Sequence, residues 1–250
     1  MASSGTRSLT RMRQGMLAAA LASALLAVGA AGCSAGPAST SAGSKANPLA
    51  TLSADQIASK AFADLRTATA VHVAGSVTDS GQPIGLNLTL VHGKGCDGSM
   101  STQSRGSFLL IMIGTAVWLK PDEKFWKSVG GSDPAVLKIL AGKYMKTSAK
   151  GGLGGLGQLC DPSKLLGPFK NVTGLVKGKN ATISGQPALQ ITDGAKSGFV
   201  YVSVSARPQF LRLTSTGSSS AQLDFTAYGT PVALTAPPAS QTLDGAKYGF

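Results

Sequence analysis

The first periodic pattern of apolar and polar residues in the chain, beginning at Ile57, has the spacing of a helix with one buried face. Apolar side chains recur between polar positions, mainly every three or four residues, at Ile57, Ala58, Ala61, Phe62 and Leu65. Just before them, Ser53 and Gln56 have the spacing of a capping box, in which each side chain bonds the backbone N–H of the other residue. The pattern therefore predicts an amphipathic helix over residues 54–66.

After this helix the apolar period changes to two, which is typical of strands with one buried face. Val71, Val73 and Val77 alternate with small or polar residues, and a second alternating set follows at Ile84, Leu86, Leu88 and Leu90. The turn-forming residues 79–83 lie between the two sets, so the pattern predicts a hairpin with one apolar face. Residues 108–113 are apolar at every position, which predicts a strand covered on both faces.

Further strands are predicted where short apolar segments alternate with turn residues, over residues 96–103, 115–119, 172–176, 180–183, 187–192, 198–204, 210–214 and 222–226. A helical insert separates two groups of strands, with a short helix or turn expected at 121–127 and short helices at 135–141 and 159–166. Within the insert, the glycine-dense residues 151–157 predict a mobile loop whose spacing fits no phosphate-binding motif. Sequential strands joined by short turns predict an antiparallel sheet, and about eleven of them predict strong curvature.

The N-terminal segment has the three-part order of an export signal. Arginines at positions 7, 11 and 13 precede an uncharged apolar run over residues 16–28, which is shorter than the roughly 20 residues of a membrane-spanning helix. Small residues then lead to Cys33, and this ending resembles the lipobox of bacterial lipoproteins, although Ala30 stands where leucine is usual. The resemblance implies cleavage before Cys33 and attachment of lipid, such as palmitate, to its sulfur.

The alternative for this segment is an ordinary secretory signal, cut after Ala31 or Gly32, which leaves Cys33 unmodified. Residues 34–48 are small and polar and read as a flexible tether. We therefore expect a signal peptide over residues 1–32, a lipid-anchored tether over 33–50 and one folded domain over 51–250. This order places the domain on the extracytoplasmic face of a cell membrane.

Charge and cysteine content refine this picture. The net charge of +12 falls to +9 when the signal removes three arginines and no acids. Because the lysines are dispersed and the protein is exported, we expect no nucleic-acid partner; attraction to anionic headgroups and simple solubility remain as alternatives.

Cys96 and Cys160 are the other two cysteines, and an oxidising compartment favours a disulfide between them over two free thiols. Closing this loop of about 65 residues stabilises the fold by up to roughly 4 kcal/mol.

Several short motifs, in their order along the chain, resemble those of a known family. They are Gly95–Gly98, Val117–Lys120, Phe125–Trp126, Gly185–Leu189, Tyr201–Val202, Arg207–Leu213 and Phe225–Pro231. Over about residues 53–238 the chain resembles the actinobacterial lipoproteins grouped with LppX and LprG, which share the fold of the lipoprotein carrier LolA. The resemblance implies an α+β fold, a half-open antiparallel barrel whose concave side holds helices and an apolar cavity. It also implies binding or transport of acylated lipids, without a metal or cofactor.

The apolar faces of the strands supply the candidate site. We predict a ligand cavity lined by Leu86, Leu88, Leu90, Leu110, Met112 and Trp118, and the alternative is that these side chains form an ordinary core beneath the first helix. The leading function is a membrane-anchored protein that binds or carries a lipid or another hydrophobic ligand. The alternative is an envelope sensor or protein-interaction module with a filled cavity, and hence a possible membrane-protein partner.

An enzyme is the least favoured class. His72 and His92 are the only histidines, each lies in or beside a predicted strand, and there is no Gly-x-Ser-x-Gly motif for a serine nucleophile. No group of residues has the spacing of a zinc site. We therefore expect no catalysis, no metal and no cofactor, and a hydrolase would require activity that depends on His72 or His92.

Overall fold

Twelve strands form a single sheet in the computed structural model, which describes residues 47–129, 133–148, 159–162, 173–194, 198–217 and 220–248. All of them belong to the compact unit Lys45–Phe250. The α-helices of this part are α1 (Ala54–Thr67), α2 (Glu123–Ser128) and α3 (Pro134–Leu140). The strands are β1 (Ala70–Asp79), β2 (Gln82–Val91), β3 (Gly95–Thr102), β4 (Gly106–Ile113), β5 (Ala116–Pro121), β6 (Tyr144–Ser148), β7 (Val176–Ile183), β8 (Gln186–Thr192), β9 (Gly198–Ser203), β10 (Phe210–Ser215), β11 (Ala221–Thr226) and β12 (Thr242–Asp244).

The sheet consists of two meanders joined at their middle. Its strand order is β12-β6-β5-β4-β3-β2-β1-β11-β10-β9-β8-β7, so that β1 pairs with β11 and connects the two runs of sequential strands. All pairs are antiparallel except β12 with β6. The sheet is curved, its two edge strands β12 and β7 do not pair, and helices pack on its concave face. The predicted α+β class, with a curved sheet and helices, is therefore confirmed.

Two of the hairpins have the turn that best matches the twist of antiparallel strands. In the β1–β2 turn, Ser80 and Gly81 have φ of 51° and 76°, and in the β7–β8 turn Ser184 and Gly185 have φ of 48° and 79°. Positive φ at both central residues is the signature of a type I′ turn, which favours glycine. Local sequence therefore sets the register of both hairpins.

Helix α1 covers the centre of the concave face. Its capping box forms as predicted, because Ser53 accepts from Gln56 N and Gln56 accepts from Ser53 N. The buried face of α1 belongs to the same core cluster as the concave side chains of the strands: Ile57, Ala61, Leu65, Val73, Leu88, Leu110, Phe225. Leu49 is also part of this core at 1 % exposure, so packing begins two residues before the predicted domain boundary at residue 51.

A polar clamp holds α1 against the turn between β9 and β10. The buried carboxylate of Asp64 accepts from Arg207 Nε and, at 3.0 Å, from Gln209 Nε2. Nearby, the Tyr228 hydroxyl donates to Phe210 O at 2.9 Å. Burial, followed by the negative charge of Asp64, raises the pKa of Tyr228 well above its ordinary value, so this hydroxyl stays protonated as a donor.

Several sequence predictions need correction. The strands β6 and β12 were not predicted, and their parallel pairing departs from the expected all-antiparallel sheet. Residues 173–175, expected in a strand, are irregular, and the backbone N–H of Leu175 donates to Asp55. The predicted strand over residues 180–183 begins earlier, since residues 176–183 form the single strand β7, whose pairing with β8 shifts in register between Lys177 and Asn180. The glycine-dense residues 151–157 and residues 163–166 of the third predicted helix lie outside the described residues.

Strand β4 is not covered on both faces, contrary to the prediction. Leu110 is fully buried on the concave face, whereas its neighbour Leu109 is 43 % exposed on the convex face. Ile111 and Ile113 share that convex face and are only half-buried. The physical reason is that an antiparallel sheet needs only one packed face, and here the core beneath α1 occupies the other side.

Candidate functional site: a groove between α3 and the sheet

Five of the six predicted cavity residues lie together on the concave face. Leu86, Leu88, Leu90 and Leu110 are between 0 and 5 % exposed, and Met112 packs against the same core cluster. Side chains of α1 fill the space above them, and the two cavities described below have other linings. In the described part of the chain these leucines form packed core, and their contact with a ligand stays a prediction.

Trp118 does not belong with the other five residues. Leu110 pairs with Leu119 across β4 and β5, so the adjacent Trp118 points to the opposite, convex face, where it pairs with Ile111 and Lys146. The Lys146 ammonium lies 5.8 Å from the centroid of the Trp118 ring. The prediction that Trp118 faces the same side as Leu110 and Met112 was wrong. Residues 117–119 are all apolar, so their sequence does not show which of them points to the concave face and which to the convex face.

The disulfide joins the two cysteines that the sequence suggested as a pair. Cys96 on β3 and Cys160 are bonded with their Cα atoms 5.2 Å apart, and both are buried. The bond ties the helical insert to the centre of the sheet, next to Met112, which is the register partner of Cys96. It therefore fixes one end of the insert against the core.

A groove of about 620 Å³ opens between α3 and strands β3 to β5, and we call it the α3 groove. Its apolar lining is formed by Phe108, Leu109, Pro121, Leu137 and Ala141, and its polar lining includes Ser99, Ser107, Lys120, Asp122, Glu123 and Lys138. The volume lies within the roughly 300–1,000 Å³ of typical small-molecule sites, which combine an apolar lining with a few polar groups. Leu109 offers this groove an apolar surface that the fold itself does not bury.

Two aspartates fix the helices that border the α3 groove. Asp122 caps α2 by accepting from Phe125 N at 2.7 Å, and it also accepts from Ser107 N and Oγ at 2.8 and 2.7 Å. Asp133 caps α3 by accepting from Ala135 N at 2.8 Å, with proline in the first helical turn. These caps orient two short helices that have too few residues to be stable alone.

The junction of β4 and α2 is tight. The rings of Phe108 and Phe125 meet edge to face, with their centroids 5.4 Å apart. Gly106 has φ of 86°, and a Cβ there would lie 2.4 Å from Asp122 Oδ1 and 2.6 Å from Phe125 N. A side chain at Gly106 would therefore displace the cap of α2.

The charge of Asp122 is maintained by its hydrogen bonds. Burial alone would raise its pKa, but bonds from the Phe125 N–H, the Ser107 hydroxyl and the Ser107 N–H, helped by the Lys124 charge, lower the pKa below its ordinary value. The carboxylate therefore stays ionised at neutral pH. Together with Glu123, it gives one side of the groove negative charge, while Lys120 and Lys138 supply positive charge.

A second cavity, of about 750 Å³, lies where β6 and β12 end the sheet, and we call it the edge cavity. It is lined by Trp118, Lys146, Thr147, Ser148, Pro237, Ala239, Thr242, Leu243, Asp244 and Ala246. Its lining combines apolar, hydroxyl and charged side chains in about the same proportion as the lining of the α3 groove. The α3 groove differs in that its lining includes two lysines and Leu109, which is 43 % exposed.

The described residues offer little to a catalytic mechanism. His72 on the convex face lies with Nδ1 at 3.3 Å from Thr89 Oγ1. Within the ranges that the structure describes, there is no group of three His, Cys, Asp or Glu side chains that could hold a metal ion. Among the helices described, none is long and apolar enough to cross a membrane.

Sequence reasoning missed the α3 groove. Leu137 and Ala141 fell within the predicted helix over 135–141, but the face they use was not identified. A signal was present, because Val136, Leu137, Ile139 and Leu140 make this short helix apolar on more than one side. In β4, the uninterrupted apolar run was a second signal, which was interpreted as complete burial.

Comparison with known proteins places the fold. No protein-family model matches the chain, and no curated protein sequence matches it. Among solved structures, LprF from Mycobacterium bovis is similar with a TM-score of 0.51 at 12 % identity, covering 74 % of this chain and 96 % of LprF. The lipoprotein LppX of Mycobacterium tuberculosis gives a TM-score of 0.44 at 15 % identity, covering 72 % and 96 %. At such low identity the similarity to LprF concerns the fold alone, and for the fold it confirms the resemblance to the actinobacterial lipoproteins.

Proposed function

We propose that this protein is an extracytoplasmic lipoprotein, anchored to a cell membrane through lipid on Cys33, that binds a lipid or another hydrophobic ligand in the α3 groove. The observation that carries the proposal is the groove itself, in which an apolar lining remains open to solvent beside two lysines. The predicted export signal and the predicted lipidation of Cys33 support this proposal, because they would hold the domain beside a bilayer, where acylated molecules are abundant.

The groove chemistry fits an amphipathic ligand. An acyl chain against Leu109 and Leu137 removes apolar area from water, which stabilises the complex by roughly 25 cal/mol per Å². Lys120 and Lys138 lie in the same lining and can pair with an anionic headgroup. The ligand class is therefore an acylated molecule with a negatively charged or strongly polar head.

Native mass spectrometry tests this proposal on the mature protein purified from the envelope of its own host. We expect a bound species with the mass of an acylated lipid. Replacing Leu109 with Ser should lower the affinity for this species roughly fivefold, and its occupancy with it, because about 1 kcal/mol of apolar contact is lost. The matched control is Ile113→Ser, on the same strand and face but outside the groove lining. Absence of any bound lipid, or equal loss in both variants, would contradict lipid binding in the α3 groove.

A second function is favoured by one observation. The concave face, which the resemblance predicted to hold a cavity, is filled beneath α1 by the protein's own side chains. Such a filled fold suits an envelope sensor or a protein-interaction module. Cross-linking in intact cells, followed by purification, separates the two functions: recovery of one membrane protein together with no bound lipid would favour the interaction module.

A further inference from the structure

Exposed apolar side chains are concentrated in the short segment that contains α3. Of six large hydrophobic residues that are exposed in this part, three lie between positions 129 and 139: Val129 at 50 %, Val136 at 36 % and Ile139 at 54 %. Val136 and Ile139 are three residues apart in α3 and therefore share one helical face. Leu140, one turn after Val136, is buried against Trp126 and Met145, so it holds the end of the helix in place while Val136 and Ile139 stay exposed.

This apolar surface lies in a segment rich in positive charge. Between positions 120 and 146 the sequence has six lysines and three acids. The acids have local roles, since Asp122 and Asp133 cap helices and Glu123 pairs with Lys127 at 2.5 Å.

Several lysines of this segment have neutral partners. Lys124 and Lys143 donate to carbonyl oxygens of Gln103 and Ser240. Lys120 and Lys146 lie over the rings of Tyr144 and Trp118. Because these partners carry no charge, each ammonium keeps its full positive charge at the surface. The segment is therefore complementary to an anionic surface.

The length of chain outside the described residues allows this surface to meet a bilayer. From Cys33 to Asn47 the chain spans at most about 50 Å when extended. A folded domain of about 200 residues has a radius of gyration of about 16 Å, so a tether of that length can bring any face to the membrane. Surface chemistry then decides which face docks.

We propose that the α3 surface, defined as the exposed side chains Val136 and Ile139, docks onto an anionic phospholipid bilayer. These apolar side chains enter the headgroup boundary, and the lysines of the segment, Lys138 beside Ile139 among them, are attracted to the lipid phosphates. Lys138 also lines the α3 groove, so the helix that docks is also the helix that borders the groove. The docking itself does not require that the groove binds lipid.

Co-sedimentation with vesicles tests the proposal on the mature chain, residues 33–250, with Cys33→Ser so that no anchor contributes. We expect binding to vesicles of mixed phosphatidylglycerol and phosphatidylcholine, and much weaker binding to phosphatidylcholine alone. Binding should also fall between about 0.1 M and 1 M salt, as the Debye length shortens from about 10 to about 3 Å. No binding to the anionic vesicles, or equal binding to both vesicle types, would overturn docking.

Two pairs of variants locate the surface. The double variant Val136→Ser/Ile139→Ser should lower the partition coefficient roughly tenfold through lost apolar insertion. Val176→Ser removes an equally exposed side chain, at 51 %, from β7 and should leave the coefficient within about twofold. Lys138→Glu should weaken binding at least about fivefold, whereas Lys60→Glu on α1, with the same change in net charge, should not. Equal effects within either pair would overturn the assignment to α3.

Neither Val136 nor Ile139 lines the α3 groove, so their replacement leaves the proposed ligand site intact. If the double variant loses vesicle binding but still carries lipid in native mass spectra, docking and ligand binding are separate properties. If wild-type protein binds vesicles but carries no lipid, the proposed function fails while docking stands. The docking proposal and the proposed lipid binding can therefore fail independently of each other.

Discussion

The clamp between α1 and the β9–β10 turn predicts an asymmetry between its two charged partners. The Asp64 side chain is 4 % exposed, whereas the Arg207 side chain is 72 % exposed. Replacing Arg207 with Ala leaves a buried carboxylate that keeps only its bond from Gln209. Replacing Asp64 with Asn instead leaves a cation that water already solvates. We therefore expect Arg207→Ala to destabilise the fold more than Asp64→Asn, although Arg207 lies at the surface.

The magnitudes follow from burial. Leaving one partner of a buried pair uncompensated costs about 3 kcal/mol. Exchanging a charge-assisted hydrogen bond for a neutral one costs about 1 kcal/mol. The difference of about 2 kcal/mol corresponds to a gap of roughly 4–8 °C in Tm for a domain of this size. In the double variant the buried charge is gone, so it should be more stable than Arg207→Ala alone.

Urea denaturation at neutral pH, followed by tryptophan fluorescence with the disulfide intact, measures these differences, provided that the slope m is the same for each variant. Arg212→Ala is the matched control, because Arg212 pairs with Asp224 across β10 and β11 and both side chains are about equally exposed, at 28 and 30 %. That pair should contribute about 1 kcal/mol or less. The reasoning is refuted if Arg207→Ala costs no more than Asp64→Asn, or if the double variant is less stable than Arg207→Ala alone.

Three further predictions concern the anchor, the insert and the groove. Cys33→Ala should abolish incorporation of labelled palmitate in the native host, whereas Cys160→Ser should leave it intact; retained label in the Cys33 variant would contradict lipid attachment there. Cys160→Ser should lower the free energy of unfolding by up to roughly 4 kcal/mol in denaturant titrations, because the loop closed by the bond to Cys96 is released; an unchanged midpoint would count against a formed disulfide. Asp122→Ala should cost about 1 kcal/mol at neutral pH through loss of the α2 cap. The folded-state pKa of Asp122 is lowered, so the stabilisation by its carboxylate is present above the unfolded pKa of about 4 and is lost as pH falls through the folded pKa. The difference in unfolding free energy between wild type and variant should therefore shrink in acid. A difference that grows in acid would contradict this prediction.

Local signals explain why part of this fold could be predicted from the sequence. The capping box at Ser53 and the type I′ turns at Ser80 and Ser184 depend on residues within a few positions of each other, and the helix and hairpins form where expected. The pairing of β12 with β6 depends on only three residues about 100 positions away in the chain, so no local pattern marks it. The number of strands predicted the curvature, and the resemblance to a known family supplied the half-open arrangement with helices on the concave side.

The candidate site was harder to predict, because its residues are apolar in the same way as core residues. Leu109 and Leu110 are adjacent and identical, yet one lines the open groove and the other is fully buried. Only the register with β5 decides which of them faces the core beneath α1. For the same reason Trp118 was assigned to the wrong face of the sheet, because both of its neighbours in β5 are also apolar.

The excess of apolar residues in β4 and α3 has a consequence for stability. A strand and a helix that only had to form a core would each need one apolar face, yet both carry a second one, and the α3 groove lies between them. Exposed apolar surface lowers solubility, and the proposed ligand and the proposed docking would each cover part of it. At 43 % exposure, Leu109 contributes little to the core, and Leu109→Ser should therefore change the free energy of unfolding by less than about 1 kcal/mol. Loss of ligand without loss of stability in that one variant would mark Leu109 as a binding residue. A decrease of about 3 kcal/mol in the free energy of unfolding, measured in denaturant titrations, would instead show that Leu109 packs as a core residue.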